Sequence, residues 1–250
     1  MKGQRDLNEI LYEGKSKIIH SGPDSDSYIV RFKDSATAFN GEKKEELEGK
    51  GRLNAAISNY LFNYLSKNGV KTHLLKELDE TSIVVRKAEI IGLELIVRNV
   101  AAGSFSKKYG VAEGTELKNT VMEFSVKSDS LGDPMINESQ ITALGLASNK
   151  EIQEMVRSGL QINELLTSLF LRANIKLIDF KIEFGRCGKE IILCDEISPD
   201  SCRLWDINTN EKMDKDRFRR DLGDVLEGYR DVLNRVESIA RASSQHSDKQ

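Results

Sequence analysis

The chain has 250 residues, with 37 Lys and Arg against 40 Asp and Glu, a net charge of −3. Hydrophobic residues make up 39% and charged residues 31%, with 3 prolines; this excludes a disordered chain and fits one large α/β unit or two small ones around a buried core. So even a balance also argues against a dedicated nucleic-acid coat or a polybasic membrane binder.

Ile10-Leu11-Tyr12 and Lys17-Ile18-Ile19 flank a Gly14 turn, and Tyr28–Phe32 is rich in β formers, so the chain opens as strands. A helix follows, with Leu53, Ile57, Tyr60, Leu61, Tyr64 and Leu65 on one stripe and Gly69 as its stop. Strands resume at Ser82–Lys87 and Glu89–Arg98, and a soft boundary is expected near Lys76–Glu80. Further on, Ser148 and Glu151 form a capping box for a helix carrying Ile152, Met155, Ile162, Leu166 and Phe170 on its apolar face. Asp214 is expected to cap a last helix with the stripe Phe218, Leu222, Val225, Leu226, Tyr229, Leu233 and Val236, before a polar tail that frays from Ala242.

Cys187, Cys194 and Cys202 form no CxxC pair, and His20, His73 and His246 lie far from them in sequence. Neither a disulfide framework nor a zinc site is expected, and the thiols read as reduced and buried. The N-terminus lacks the apolar region of a secretory signal. The most apolar stretch, Ala88–Val100, is broken by Glu89, Glu94 and Arg98. A cytoplasmic protein is expected, with neither nucleic acid nor membrane as partner.

The segment Leu177–Asp206 is the richest in chemistry. Alternation puts Ile178, Phe180, Ile182 and Phe184 on one strand face and Asp179, Lys181 and Glu183 on the other. Gly185–Lys189 reads as a hairpin turn and Glu190–Glu196 as the returning strand. A register with Ile191 opposite Glu183 would set Asp195 across from Asp179, whereas a slip of one residue would send it to the other face. Carboxylates on neighbouring strands with a lysine between them suit magnesium held against phosphate oxygens. From alternation alone, a solvated edge hairpin is the favoured account of the pattern, and the carboxylate-dense loop after Asp195 with Arg203 and Trp205 shifts the balance towards a site.

Two other segments suit phosphate. Gly14-Lys15-Ser16 resembles the end of a P-loop, but the glycine required at position 9 is Glu9. What remains is a glycine turn with Lys15 and Lys17 pointing the same way. In Val97–Ser104, Arg98 is followed by small residues, Gly103 and Ser104, a set able to clamp phosphate. Protein-kinase signatures are absent, since Asp179-Phe180 is followed by Lys181 and no His-Arg-Asp occurs; no Gly-x-Ser-x-Gly elbow is present either.

Tyr12–Lys17, Ala36–Gly41, Val97–Ser104, Asp133–Asn137, Asp179–Gly185, Asp195–Asp200 and Arg203–Asp206 occur in this order. With them the chain resembles the SAICAR synthetase family of purine biosynthesis, from about Leu11 to Val236. The resemblance implies an α+β fold, in which an N-terminal antiparallel sheet like a kinase small lobe meets a larger α/β part with ATP between them. On that reading residues 1–78 cover the nucleotide, 79–241 hold ATP, magnesium and substrate, and 242–250 form the tail.

The implied activity is an ATP- and magnesium-dependent ligase that joins L-aspartate to the carboxylate of aminoimidazole carboxylate ribonucleotide (CAIR). Homo-oligomers are common in the family, and a dimer is expected here. Carried over by motif, Glu183 and Asp195 become the magnesium ligands, and Lys15, Lys17 and Lys127 the contacts to ATP phosphates. Arg98, Ser104 and Arg203 match positions that hold CAIR, with Lys181 between metal and substrate, Asp200 flanking the same loop and Asn40 a further substrate contact. Cys202 stands where the family commonly has serine. A small-molecule kinase on the same scaffold and a catalytically silent nucleotide-binding module are the competing readings.

Overall fold

The structure, a computed structural model, describes residues 9–38 and 41–247. Strands β1 (Ile10–Glu13), β2 (Lys17–Ser21) and β3 (Ser27–Phe32) are followed by a small hairpin, β4 (Ser35–Ala38) and β5 (Lys43–Glu46). Helix α1 (Lys50–Lys67) and a second hairpin, β6 (Leu74–Asp79) and β7 (Ser82–Arg86), come next. Five of these strands make an antiparallel sheet in the order β1-β2-β3-β7-β6.

The second sheet begins with β8 (Glu89–Val100), so the change of sheet comes at Lys87-Ala88. A division at 78/79 would run through the β6–β7 hairpin. After α2 (Gly103–Tyr109) come β9 (Glu116–Val126), β10 (Met135–Ile136), α3 (Glu138–Ala143) and α4 (Asn149–Arg172). The chain then forms β11 (Ile175–Cys187), β12 (Glu190–Cys194) and β13 (Cys202–Asp206), and ends in α5 (Asp216–Arg219) and α6 (Val225–Ser247). The second sheet runs β10-β9-β8-β11, all antiparallel, and the far edge of β11 is shared end to end by β12 and β13.

The main core lies between this sheet and α1, α4 and α6. Ile57, Leu61, Leu95, Leu166, Phe180, Phe184 and Val236 all pack in it almost without exposure, and each such burial contributes about 1.5–3 kcal/mol. The α4 start is the expected capping box. Ser148 Oγ accepts from the Glu151 N–H at 3.3 Å, and Glu151 Oε2 accepts from the Ser148 N–H at 2.8 Å.

Five expectations are corrected. The strand runs through Gly185 to Cys187, because that glycine serves close packing and not a turn: a Cβ there would lie 2.8 Å from Ala88 Cβ and 2.9 Å from Cys194 Sγ. With the turn moved to Gly188-Lys189, Ile191 pairs with Arg186 and Glu183 with Cys194. A bulge between Leu177 and Asp179 interrupts the alternation, so Ile178 leaves the face of Phe180, Ile182 and Phe184 and packs with Val100, Ala102 and Trp205. The expected last helix is two, because Asp221, Gly223 and Asp224 adopt left-handed backbone that no helix continues through. Finally, α6 extends beyond Ala242 to Ser247.

Candidate active site

β12 pairs with β11 from Glu183 to Cys187, and β13 pairs with it from Ile175 to Phe180. Between those stretches the chain 195–201 leaves the sheet, tethered by the Lys181 N–H to the Ser201 carbonyl at 2.8 Å. The loop carrying Asp195, Glu196 and Asp200 therefore emerges at the middle of β11, beside Lys181 and Glu183. Its own groups hold it: Ser198 Oγ donates to Glu196 Oε2 at 2.8 Å and accepts from the Asp200 N–H at 3.1 Å.

A cleft of about 430 Å³ opens between the two sheets. Ile19, Val30, Val85 and Ile90 supply apolar walls; Lys15, Lys17, Lys127, Lys181, Glu183 and Asp195 supply charge. A second cavity of about 180 Å³ is lined by Arg98, Ser104, Asp179, Arg203 and Arg219. Lys181, Asp200 and Ser201 line both, so the cavities adjoin at that point.

In the larger cleft the observed hairpin register would turn Asp195 away from Glu183 if the strand continued. Instead Asp195 takes a left-handed backbone, φ 63°, a conformation that costs about 1 kcal/mol for a non-glycine residue and recurs at functional sites. Its carboxylate thereby reaches Lys17, which also lies 3.0 Å from Glu196 Oε1. Lys127 donates to Glu183 Oε2 at 2.6 Å, and Lys181 pairs with Glu94 and lies 3.7 Å from Glu183 Oε1. Burial opposes the charge on Asp195, but Lys17, Lys127 and Lys181 outweigh it and hold that carboxyl below the usual range. For Glu183 burial and the neighbouring Asp195 charge prevail and push the carboxyl up. Burial drives the His73 imidazole, also at the cleft wall, down to about 4, so it stays neutral at physiological pH.

Glu94, Glu183, Asp195 and Glu196 set four carboxylates against three ammonium groups, those of Lys17, Lys127 and Lys181. Among the described residues no cluster of three or more His, Cys, Asp or Glu could hold a metal by itself. Magnesium is usually bound through one or two carboxylates with phosphate oxygens and water completing its shell. Glu183 and Asp195 fit such a donor pair.

The smaller cavity is organised by aspartates. Asp179 Oδ2 accepts from Arg98 Nη1 at 2.8 Å and from Arg203 Nη1 at 2.9 Å, setting the two guanidinium groups side by side. Arg98 Nε donates to Glu123 at 2.6 Å, Arg203 Nε to Asp216 at 3.0 Å, and Ser104 Oγ lies 3.5 Å from Arg98 Nη2. Gly103, at φ 54°, packs directly on Arg203: a Cβ would lie 2.4 Å from Nη2. Cys202, at the position where a serine hydroxyl is expected, is a buried thiol at the wall of this cavity.

Of the residues singled out in the sequence, Lys17, Lys127, Lys181, Glu183 and Asp195 meet in the larger cleft, and Arg98, Ser104 and Arg203 in the smaller one. Lys15 lines the cleft from its rim and pairs with Asp129 at 2.6 Å. Asp200 sits where the cavities join, and Asn40 lies outside the described residues. Sequence reasoning missed Lys50 and Tyr229, both fully buried, which donate to Asp200 at 2.5 Å each. It also missed Asp179 as an arginine spacer, and Glu94, whose only signal was a carboxylate interrupting an apolar strand. No helix among the described residues is long and apolar enough to cross a membrane.

The chain matches the family described as SAICAR synthetase over residues 10–236. A phosphoribosylaminoimidazole-succinocarboxamide synthase of Clostridium perfringens is 53% identical over 228 residues, spanning 91% of this chain and 97% of the relative. Among solved structures, the synthase of that name from Ehrlichia chaffeensis has a TM-score of 0.90 at 44% identity, covering 92% of this chain and 98% of its own. A SAICAR synthetase in complex with ADP has a TM-score of 0.88 at 43% identity, covering 90% and 96%. The chain therefore belongs to the SAICAR synthetase family, ligases of purine biosynthesis.

Proposed function

We propose that the protein joins L-aspartate to the carboxylate of CAIR, with ATP as phosphoryl donor and magnesium as its counter-ion. The observation that carries this reading is the adjoining of a lysine- and carboxylate-lined cleft with an arginine-lined cavity at Lys181, Asp200 and Ser201. A relative at 43% identity is described in complex with ADP, which supports an adenine nucleotide as ligand, and the lysines of the larger cleft suit its phosphates.

A carboxylate is a poor acyl donor at neutral pH. In the proposed sequence a CAIR carboxylate oxygen takes the γ-phosphoryl group, the bond to the β-phosphate oxygen breaks, and ADP leaves. The α-amine of aspartate then attacks the acyl carbon, a C–N bond forms, the C–O bond to phosphate breaks, and the amine gives up its proton. Neither step needs a protein nucleophile, so positioning and charge neutralisation dominate. Lys15, Lys17 and Lys127 are suited to the phosphates, and Lys181 to the reacting carboxylate at the junction. Arg98, Ser104 and Arg203 are suited to the ribonucleotide's anionic groups. Magnesium, held by Glu183 and Asp195, would neutralise phosphate charge. The enzyme is read as cytoplasmic and homo-oligomeric, a dimer in the simplest form.

The test is ADP release with magnesium-ATP, L-aspartate and CAIR, each omitted in turn. Release that requires all of them, with a succinocarboxamide product, is expected. ADP formed with CAIR at the full rate in the absence of aspartate would favour a kinase, and bound ATP without release a silent module.

A further inference from the structure

The cations that line the two joined cavities are nearly all neutralised. Lys17, Lys127, Lys181, Arg98, Arg203 and Arg219 each have a carboxylate within hydrogen-bond reach. Lys215 differs. Its side chain is 13% exposed and lines the larger cleft, and its closest carboxylate, Asp200 Oδ2, lies 3.8 Å away, beyond a hydrogen bond.

Asp200 is already engaged. Its Oδ2 accepts from the fully buried Lys50 Nζ at 2.5 Å, and its Oδ1 from the Tyr229 hydroxyl at 2.5 Å. Lys50 and Lys215 thus set two ammonium groups against the one Asp200 carboxylate, which leaves a positive charge in excess beside the junction of the cavities. A largely buried ammonium without a hydrogen-bonded anion is costly and is stabilised by an anionic ligand. Burial also lowers its pKa from the ordinary lysine value, the direction expected of a cation that lacks a full partner.

The nucleotide and the ribonucleotide each have their own cationic lining, in the larger cleft and the smaller cavity. Aspartate, a dicarboxylate, is the substrate still without one. Its amine must reach an acyl carbon beside Lys181, and Lys215 lines the larger cleft next to Asp200, one of the residues at which the two cavities adjoin. We propose that Lys215 binds a carboxylate of L-aspartate, with Lys50 and Tyr229 holding Asp200 so that this ammonium stays free for it. The inference rests on the ligase reading above and adds the recognition of its amino-acid substrate.

Steady-state kinetics of the full-length enzyme with ATP, CAIR and L-aspartate test it. A charge-assisted hydrogen bond lost in Lys215→Met should raise the aspartate KM about 10- to 100-fold, with the ATP and CAIR KM values within about twofold of wild type. Lys215→Arg, which keeps the charge, should recover most of that loss. An aspartate KM within twofold of wild type in Lys215→Met overturns the inference, and so does an equal or larger rise for ATP or CAIR. If Lys215→Met fails to bind ADP as a folded protein, Lys215→Gln carries the same readout. A wild-type enzyme without aspartate-dependent turnover overturns the ligase reading itself, a different outcome from an active wild type with an unaffected variant.

Discussion

Lys17 on β2 and Asp195 at the end of β12 form an ion pair across the cleft, 178 positions apart in the chain. One belongs to the first sheet and the other follows directly on a strand of the second, so the pair ties the two walls of the cleft together at the point where phosphate charge is expected. Lys17 lies at half-buried depth over the Phe32 ring as well, 5.8 Å from its centroid, which fixes the direction in which the ammonium points.

Removing the Glu183 carboxylate should separate chemistry from folding. Burial and Asp195 both disfavour its charge, so the native state gains little from it, and Lys127 is exposed enough to find water instead. Glu183→Ala is expected to lower kcat by about 100- to 1,000-fold, with a Tm within about 3 °C of wild type. ADP-release kinetics and thermal melts check this; near-normal turnover would remove Glu183 from the metal and phosphate site.

The guanidinium of Arg203 is held by Asp179, Asp216 and the bare backbone of Gly103. Gly103→Ala should push it aside, because the new methyl would stand where Nη2 lies and φ 54° also disfavours any side chain. The expected result is a CAIR KM about 10-fold higher with the ATP KM unchanged. Arg203→Ala should exceed that effect. A CAIR KM equal to wild type in both variants would take Arg203 out of the substrate site.

Lys50 is a fully buried charge whose partner, Asp200, is buried too. Truncation leaves a carboxylate supported by the Tyr229 hydroxyl and by Lys215 at longer range. Lys50→Met should therefore lower unfolding free energy by about 3 kcal/mol, measured by urea titration with wild type alongside. A loss below about 1 kcal/mol would mean that Lys215 moves in to replace it, and the aspartate KM would then rise in the same variant.

The α4 cap carries a pH dependence with a definite sign. Hydrogen bonding from Arg186, then from the Ser148 N–H, lowers the Glu151 pKa from 4.5 to about 2. A folded-state pKa below the unfolded one gives stability that is present above pH 4.5 and is lost as pH falls towards 2. The contribution is on the order of 1 kcal/mol. In Glu151→Gln that increment should be missing at pH 7, and the difference from wild type should vanish near pH 2. A constant difference across that range would assign the effect to packing alone.

Local structure and chemical inventory are legible in the order of the residues alone. The period of the apolar residues defines α1 and α4, and Ser148 with Glu151 defines the α4 start, because caps and amphipathic stripes depend on neighbours a few positions away. The motif order carries the family, and with it most of the residues found in the two cavities. The remainder depends on contacts between distant segments. Gly185 reads as a turn until Ala88 and Cys194 are seen pressing on it, and that contact shifts the hairpin register. Asp195 then reaches the cleft only through a left-handed backbone, and Ile178 leaves its face through a bulge. Lys50 looks like any lysine at a helix start until Asp200, distant in sequence, is seen to pair with it and, at longer range, with Lys215. Register, close approach and charge pairing arise between segments far apart in the chain, and a periodic pattern contains no information about which distant segment will meet it.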